Sequence, residues 1–277
     1  MTTHGDQVLV LGATGKTGRR VARRLREAGR TVRAASRSGE VRFDWYRPDT
    51  WATALEGSSA VYLVAPDDPA PVHDFVKQAT ASGVRRFVAL SGRGIEHVGD
   101  DFGQGMVAAE RAVRESGVEW TIIQPNNFDQ NFDEDLWREP LRAGRLALPI
   151  GDVPEPFVDV EDVAEVAAVL LTEDGHAGRV YELSGPRGLT FEEAAETIAR
   201  AAGRTIEYVE LTPGEYRGEL LAEGYPEAAA RALGALFEVH RAGHLAGVAD
   251  GVRRVLGREP AAFEDYAARA AAAGAWA

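Results

Sequence analysis

Three glycines at a spacing of three residues, Gly12, Gly15 and Gly18, follow an apolar run at 8–11 and stand where a helical pattern begins. The run reads as a buried strand and the pattern over 16–28 as a helix, so the glycines form the turn between them. Few folds begin this way. Without a Cβ at Gly12 and Gly15, a phosphate can approach the free N–H groups at the helix amino terminus, where the helix dipole favours negative charge. Gly18 lets the helix lie close on the strand. A P-loop is excluded by spacing, because its first glycine would fall on Val10.

Beyond the first helix the chain alternates. Strands are expected at 31–36, 41–43, 60–65, 86–90 and 119–124, with helices at 49–55, 69–82 and 106–116 between them. Such β-α-β-α order predicts a Rossmann-type, doubly wound parallel sheet of the α/β class. A glycine-rich loop runs from 91 to about 105. From Phe128 the texture changes: Phe132, Leu136 and Trp137 fall on one face of an expected helix, and a short extended piece leads to Pro149. A helix flanked at its start by Asp159 and Asp162 and a strand at Arg179–Leu183 return the chain to the sheet over about 157–185. Thr190 and Glu193 form a capping box that opens a helix to Ala202. Further helices are expected at 212–223, 226–240 and 263–273. The expected organisation is a nucleotide-binding domain over 1–150 and a small, mainly helical substrate domain over 186–277.

The tip of the second strand selects the cofactor. It carries Ser36-Arg37-Ser38 and no carboxylate to bind a ribose 2′-hydroxyl. A guanidinium beside two hydroxyls instead suits a 2′-phosphate, so NADP is expected over NAD. Asp44, past the third strand, either meets the adenine amino group or shapes the turn that approaches the next helix.

Composition narrows the function. A net charge of −12 and a pI near 5.1 disfavour nucleic acid as a partner. The arginines at 19, 20, 23, 24 and 26 read as a solvated helix face. Thiol chemistry is excluded by the absence of cysteine. No apolar leader precedes the first strand and no stretch approaches membrane-spanning length, so a cytoplasmic protein without membrane contact is expected. Among the six histidines, His240 and His244 lack the H-E-x-x-H pattern and read as structural, and no metal site is expected. His97, in the loop after Ser91, is the histidine placed nearest an expected nicotinamide, and Glu110 and Asp133 are possible acids. Phe102, Phe132, Trp137 and Phe157 are candidates to wall an apolar substrate pocket, with core packing as the alternative.

One relay is impossible in this chain. The Tyr-x-x-x-Lys pair of short-chain dehydrogenases requires a tyrosine four residues before a lysine, and the only lysines, Lys16 and Lys77, have Gly12 and His73 there.

The segments 12–18 (Gly-Ala-Thr-Gly-Lys-Thr-Gly), Ser36-Arg37, Phe43-Asp44-Trp45, 61–66, 83–88 and Gln124-Pro125-Asn126-Asn127-Phe128 with Asn131-Phe132 resemble the NmrA-like atypical short-chain dehydrogenases. The segments 156–163, 181–186, 257–260 and 263–266 are similar to the branch that contains the ergot-alkaloid iminium reductases. The resemblance implies that Gly12, Thr14, Gly15, Lys16, Thr17 and Gly18 form the phosphate loop and that Arg37, with Ser36, meets the 2′-phosphate. Asp44 and Trp45 would lie near adenine, and Ala65, Pro66, Ser91, Pro125, Asn126, Asn127 and Phe128 on the nicotinamide side. Gln124 departs from the pattern, since relatives commonly carry arginine there.

Members of that family either reduce small molecules or bind NADP as sensors without catalysis. Reducing a ketone needs a proton donor, whereas an iminium ion needs only hydride, and quinones and conjugated enones can take a proton from water. The expectation is an NADPH-dependent reductase of such electrophiles, which orients hydride against its acceptor; the alternative is a non-catalytic NADP(H)-sensing regulator.

Overall fold

The computed structural model describes residues 7–99 and 102–277. The expectation about a leader and two positions of the 91–105 loop lie outside those residues. In chain order the elements are β1 (Gln7–Leu11), α1 (Lys16–Glu27), β2 (Val32–Ser36), β3 (Val41–Arg42), α2 (Trp51–Leu55), β4 (Ser58–Val64), α3 (Val72–Ala81), β5 (Arg86–Leu90), α4 (Gln104–Glu115) and β6 (Glu119–Pro125). There follow α5 (Arg138–Ala143), β7 (Arg145–Leu148), α6 (Val160–Thr172), β8 (Arg179–Leu183), α7 (Phe191–Ala202), β9 (Glu207–Glu210), α8 (Pro213–Ala222), α9 (Glu227–Arg241), α10 (Gly251–Leu256) and α11 (Phe263–Ala272).

Seven parallel strands form the main sheet in the order β3-β2-β1-β4-β5-β6-β8. The α/β doubly wound expectation holds. Strand alternation explains why: Val8 and Val10 pack on one face with α1, α6 and α10, and Leu9 and Leu11 on the other with α2, α3 and α4. Both faces are covered, which is why β1 reads as unbroken apolar sequence. The winding reverses between β1 and β4, and in such sheets the crevice at the carboxyl ends beside that reversal takes ligands.

A second apolar cluster joins residues from 132–150 and Phe157 to residues from 189–276, with Trp276, Phe132 and Phe191 wholly buried in it. Its parallel pair β7–β9 is half legible in the sequence, as the extended piece before Pro149; β9 and α10 have no counterpart among the expected elements. The apolar clusters thus do not divide at 150 and 186: the chain near Phe132 packs with the carboxyl-terminal helices, while Val252 of α10 packs with α6 and β8.

Two expectations need correction. The expected helix, which closes at Gly144, is realised only over 138–143 as α5; residues 132–137 form turns before it, and the Phe132 carbonyl that a longer helix would use is taken by a tertiary bond. Asp129 N donates to Val158 O at 3.0 Å, and Phe132 O accepts the Trp276 indole N–H at 2.7 Å. The arginines of α1 are not a simple solvated face. Arg20, its side chain 12% exposed, bridges Glu134 at 2.7 Å and Glu161 at 3.0 Å, and Arg19 and Arg23 pair with the same two carboxylates. These contacts fasten α1 to α6 and to the segment after β6.

Candidate functional site

The turn after β1 has the backbone the glycine spacing demands. Gly12 sits at φ +62°, and a Cβ on Gly18 would lie 2.2 Å from the Gly12 carbonyl oxygen, so a side chain there would drive α1 off the strand. Gly15 caps α1 with no side-chain hydrogen bond, which leaves the first N–H groups of a twelve-residue helix open to an anion.

A groove of about 530 Å³ opens over this turn. Gly12, Thr14, Gly15, Lys16 and Thr17 form one end, the β2 tip at Ser36 and Arg37 a second side, and Asp44 and Trp45 a third, with Ala65 and Pro66 at the end of β4. Arg37 is exposed and has no ion pair among the described residues, whereas the Ser36 hydroxyl is buried with no hydrogen-bond partner. Trp45 is held by its indole N–H, which donates to Val64 O at 3.2 Å. The Asp44 carboxylate accepts from the Tyr46 amide at 3.0 Å and shapes the turn. An open anion-binding helix end, a free guanidinium and an orphaned buried hydroxyl on one groove fit a phosphorylated dinucleotide.

Beside it lies a more apolar cavity of about 320 Å³. Lys16 and Phe128 line both spaces, so the two meet there. Ser91 and the segment Pro125, Asn126, Asn127 form the sheet side of this cavity; the Ser91 hydroxyl is buried and has no partner among the described residues. Phe102, Met106, Leu233, Leu236, Phe237 and Leu245 supply apolar walls. A larger depression of about 990 Å³ opens at the opposite, amino-terminal end of the strands, remote from the glycine turn and from the ligand-binding end of an open sheet.

Of the four aromatic candidates for a pocket, the structure separates two from the rest. Phe102 and Trp137 line the cavity, but Phe132 and Phe157 pack edge to face at 5.1 Å inside the second core. Trp137 belongs to that core as well as to the cavity wall, since its ring packs on Phe132 at 4.7 Å and on Phe191 at 4.9 Å; the wholly buried ring of Phe132 has no face left for a ligand. His97 does not reach the cavity. It is exposed and stacks on His244 at 4.0 Å, with Glu96 3.5 Å away. Glu110 accepts from Gln124 at 2.7 Å and pairs with Arg114, which places both Glu110 and Gln124 outside the groove and the cavity. Asp133 accepts the Tyr266 hydroxyl at 2.8 Å, and burial raises its pKa; it too lies outside the cavity.

Asn126 lines the cavity with its carboxamide already committed. Oδ1 accepts from Arg93 at 3.0 Å, and Nδ2 donates to Glu155 at 2.7 Å and to Leu245 O at 3.0 Å. Sequence reasoning misses this network and the buried His240 beside it, whose Nε2 lies 3.3 Å from Glu155. One signal is present: Leu233, Leu236, Phe237 and His240 recur at helical spacing on a single face of α9, and all four line the cavity. Among the described residues no three metal-ligating side chains converge, and no helix is long and apolar enough to cross a membrane.

Comparison with known proteins adds to this geometry. A family profile described as NAD(P)H-binding matches residues 12–174. The chain is 37% identical over 281 residues to a (4-alkanoyl-5-oxo-2,5-dihydrofuran-3-yl)methyl phosphate reductase of Streptomyces griseus, covering 96% of this chain and 98% of that one. It is 30% identical to agroclavine dehydrogenase of Claviceps fusiformis, over 94% of this chain and 95% of the relative. The fold is similar to that of Nmra, a negative transcriptional regulator solved in complex with NAD, with a TM-score of 0.75 at 17% identity over 98% and 97% of the two chains.

Proposed function

The chain belongs to the NAD(P)H-binding, NmrA-like atypical short-chain dehydrogenases and is an NAD(P)-dependent oxidoreductase; from that premise we propose that it is an NADPH-dependent reductase delivering hydride to an electrophilic small molecule, an iminium ion, a quinone or a conjugated enone. One observation carries the reading: a polar groove suited to a phosphorylated dinucleotide meets an apolar cavity at Lys16 and Phe128. The nicotinamide end of the cofactor belongs at that junction, and the acceptor in the cavity.

When bound, the reduced nicotinamide supplies the hydride. The chain supplies the rest. N–H groups of the turn at Gly12 to Thr17 hold the pyrophosphate, and Arg37 with Ser36 holds the 2′-phosphate by charge-assisted bonds. Asp44 and Trp45 flank the adenine. Ala65, Pro66, Ser91, Pro125, Asn127 and Phe128 face the nicotinamide, and the walls from α4 and α9 keep water from the acceptor. Asn126 acts behind them, because its carboxamide is consumed in the network with Arg93 and Glu155. Catalysis by orientation needs no Tyr-x-x-x-Lys relay, and this chain has no residues for one.

A sensor that only binds the cofactor has no use for room beside the nicotinamide, so the open cavity favours reduction over the regulatory alternative. The name of the Streptomyces relative describes a substrate with a ring carbonyl conjugated to a carbon–carbon double bond, which supports the enone class. The test is a panel of cyclic iminium salts, naphthoquinones and enones with purified protein, read as loss of NADPH absorbance. Turnover with at least one class is expected; NADPH binding without oxidation by any of them would return the protein to the sensor reading.

A further inference from the structure

The floor of the cavity is a chain of side-chain hydrogen bonds that runs in one direction. Lys16 Nζ donates to Asn131 Oδ1 at 2.5 Å, which leaves Asn131 Nδ2 to donate to Asn127 Oδ1 at a long 3.5 Å. The Asn127 carboxamide then turns Nδ2 to His240 Nε2, and His240 Nδ1 donates to the carbonyl of Leu236 at 2.8 Å. A carbonyl only accepts, so Nδ1 keeps its proton in either charge state. The group that gains or loses a proton is Nε2.

With Nε2 unprotonated, each contact along this chain of bonds sets a donor against an acceptor. Glu155 pulls the other way. Its Oε2 lies 3.3 Å from Nε2, and both side chains are almost fully buried, at 2% and 3% exposure, so the carboxylate has little water to stabilise it. A proton on Nε2 satisfies Glu155 but sets two donors, Nε2–H and Asn127 Nδ2–H, against each other. The conflict ends if the Asn127 carboxamide rotates to present Oδ1. Rotation gives up the long contact from Asn131 and sets Asn127 Nδ2 opposite the Asn131 Nδ2 donor across that same 3.5 Å, so its N–H groups are left without an acceptor in the chain of bonds and are open to a ligand. Asn126 is barred from the same rotation, since Arg93 holds its Oδ1 and Glu155 its Nδ2.

We propose that His240 is a positioning residue whose protonation turns the Asn127 carboxamide, so that the cavity offers an N–H donor to the oxygen of a conjugated carbonyl acceptor, a quinone or an enone. This rests on the reading of the cavity as the acceptor site. Hydride from NADPH forms a C–H bond at the electrophilic position of an enone, the carbon–carbon π pair shifts toward the carbonyl, and negative charge gathers on oxygen. In a quinone the same two electrons leave a phenolate. Asn127 Nδ2–H stabilises that charge by a hydrogen bond without giving up its proton, and one proton from water completes the ketone or hydroquinone. An iminium carbon takes the same hydride and leaves no anion, so the turned carboxamide does nothing for it.

The pH at which this happens is set locally. Burial works against the imidazolium, but the hydrogen bond and charge of Glu155 and the Leu236 carbonyl outweigh it and raise the His240 pKa above its ordinary 6.5. Among the described residues, Glu155 is the charged group facing the ring; α7 and α9 meet it with the rings of Phe191 and Phe237, and Lys16 and Arg93 act through Asn131, Asn127 and Asn126. Below that pKa the donor is presented, and above it the donor is withdrawn.

Nitrogen-15 NMR of the wild-type chain tests the turn without a catalytic assay, with the Asn127 side-chain amide assigned by its loss in Asn127→Ser. The His240 ring and that amide should titrate with one shared midpoint above 6.5. In steady-state assays, kcat with a naphthoquinone should fall on the order of tenfold or more as pH rises through the midpoint. With an N-methylated dihydroisoquinolinium salt it should stay level, and in His240→Gln the quinone limb should vanish. An Asn127 amide that ignores the His240 titration, a limb retained in His240→Gln, or an equal limb with the iminium salt would each overturn the proposal. Binding of NADPH with reduction of neither acceptor refutes the acceptor-site reading and the carbonyl assignment with it, while the NMR result alone still decides whether the carboxamide turns.

Discussion

Arg37 shows how far a single residue can be read. It follows directly on the last residue of β2, its guanidinium is exposed, and the groove it borders also holds the Ser36 hydroxyl, which has no partner among the described residues. Its place at the strand tip follows from local chain order, so the amino-acid sequence is enough to make the position legible. In Arg37→Ala the dissociation constant for NADPH should rise roughly 10- to 100-fold, matching about 1.5–3 kcal/mol for hydrogen bonds to a charged group, while that for NADH stays put. Fluorescence titration with both cofactors checks it, and an unchanged preference would remove Arg37 from the phosphate site. His240 is the opposite case. In sequence it is a histidine on an alanine-rich helix; its significance comes from Glu155 and Asn127, which belong to distant segments. Only folding brings them together, and the helical stripe on α9 marks a buried face without saying what it faces.

At the scale of elements, the helical pattern places α1 to within a residue at its end, yet it misreads the arginines. A helix pattern tells which residues leave the sheet-facing stripe, not what lies across from them. Across from α1 lie Glu134 and Glu161, and although burial alone would raise their pKa values, the arginines hold both below the ordinary 4.5. A lowered carboxylate pKa contributes stability above the unfolded value and loses it as pH falls through the folded one. Urea unfolding of wild type should therefore show stability weakening as pH drops below about 4.5. Arg20→Met should cost about 1–3 kcal/mol at neutral pH and lose less on acidification, since Arg19 and Arg23 retain only part of the shift. Parallel slopes for the two proteins would show that the bridge adds nothing. The expected helix before Gly144 forms only in its last part, α5, for a related reason: the apolar spacing is real, but Phe132 serves the second core and its carbonyl serves Trp276.

For the whole molecule, the cofactor should act as a brace across the sheet's reversal, because the groove draws on the ends of β1, β2 and β4 and on Phe128 beyond β6. Ligand that binds only the folded chain stabilises it by about 2.7 kcal/mol at a hundredfold excess over the dissociation constant. NADPH should thus raise Tm by several degrees in a thermal melt, and NADH at equal concentration by clearly less; equal shifts would contradict selection at the β2 tip. The parallel sheet, its glycine turn, the absent Tyr-x-x-x-Lys relay and the expectation of a 2′-phosphate beside Arg37 follow from the sequence alone, because each rests on residues close together in the chain and on periodicities that the backbone imposes. The tertiary structure decided the rest: that Phe132 and Phe157 are core, Phe102 wall and Trp137 both, that Asn126 is committed on both sides while Asn127 meets His240, and that a buried histidine stands under the cavity. Those outcomes depend on which distant segments compete for the same buried space and the same hydrogen bonds, and that competition exists only once the chain has closed on itself.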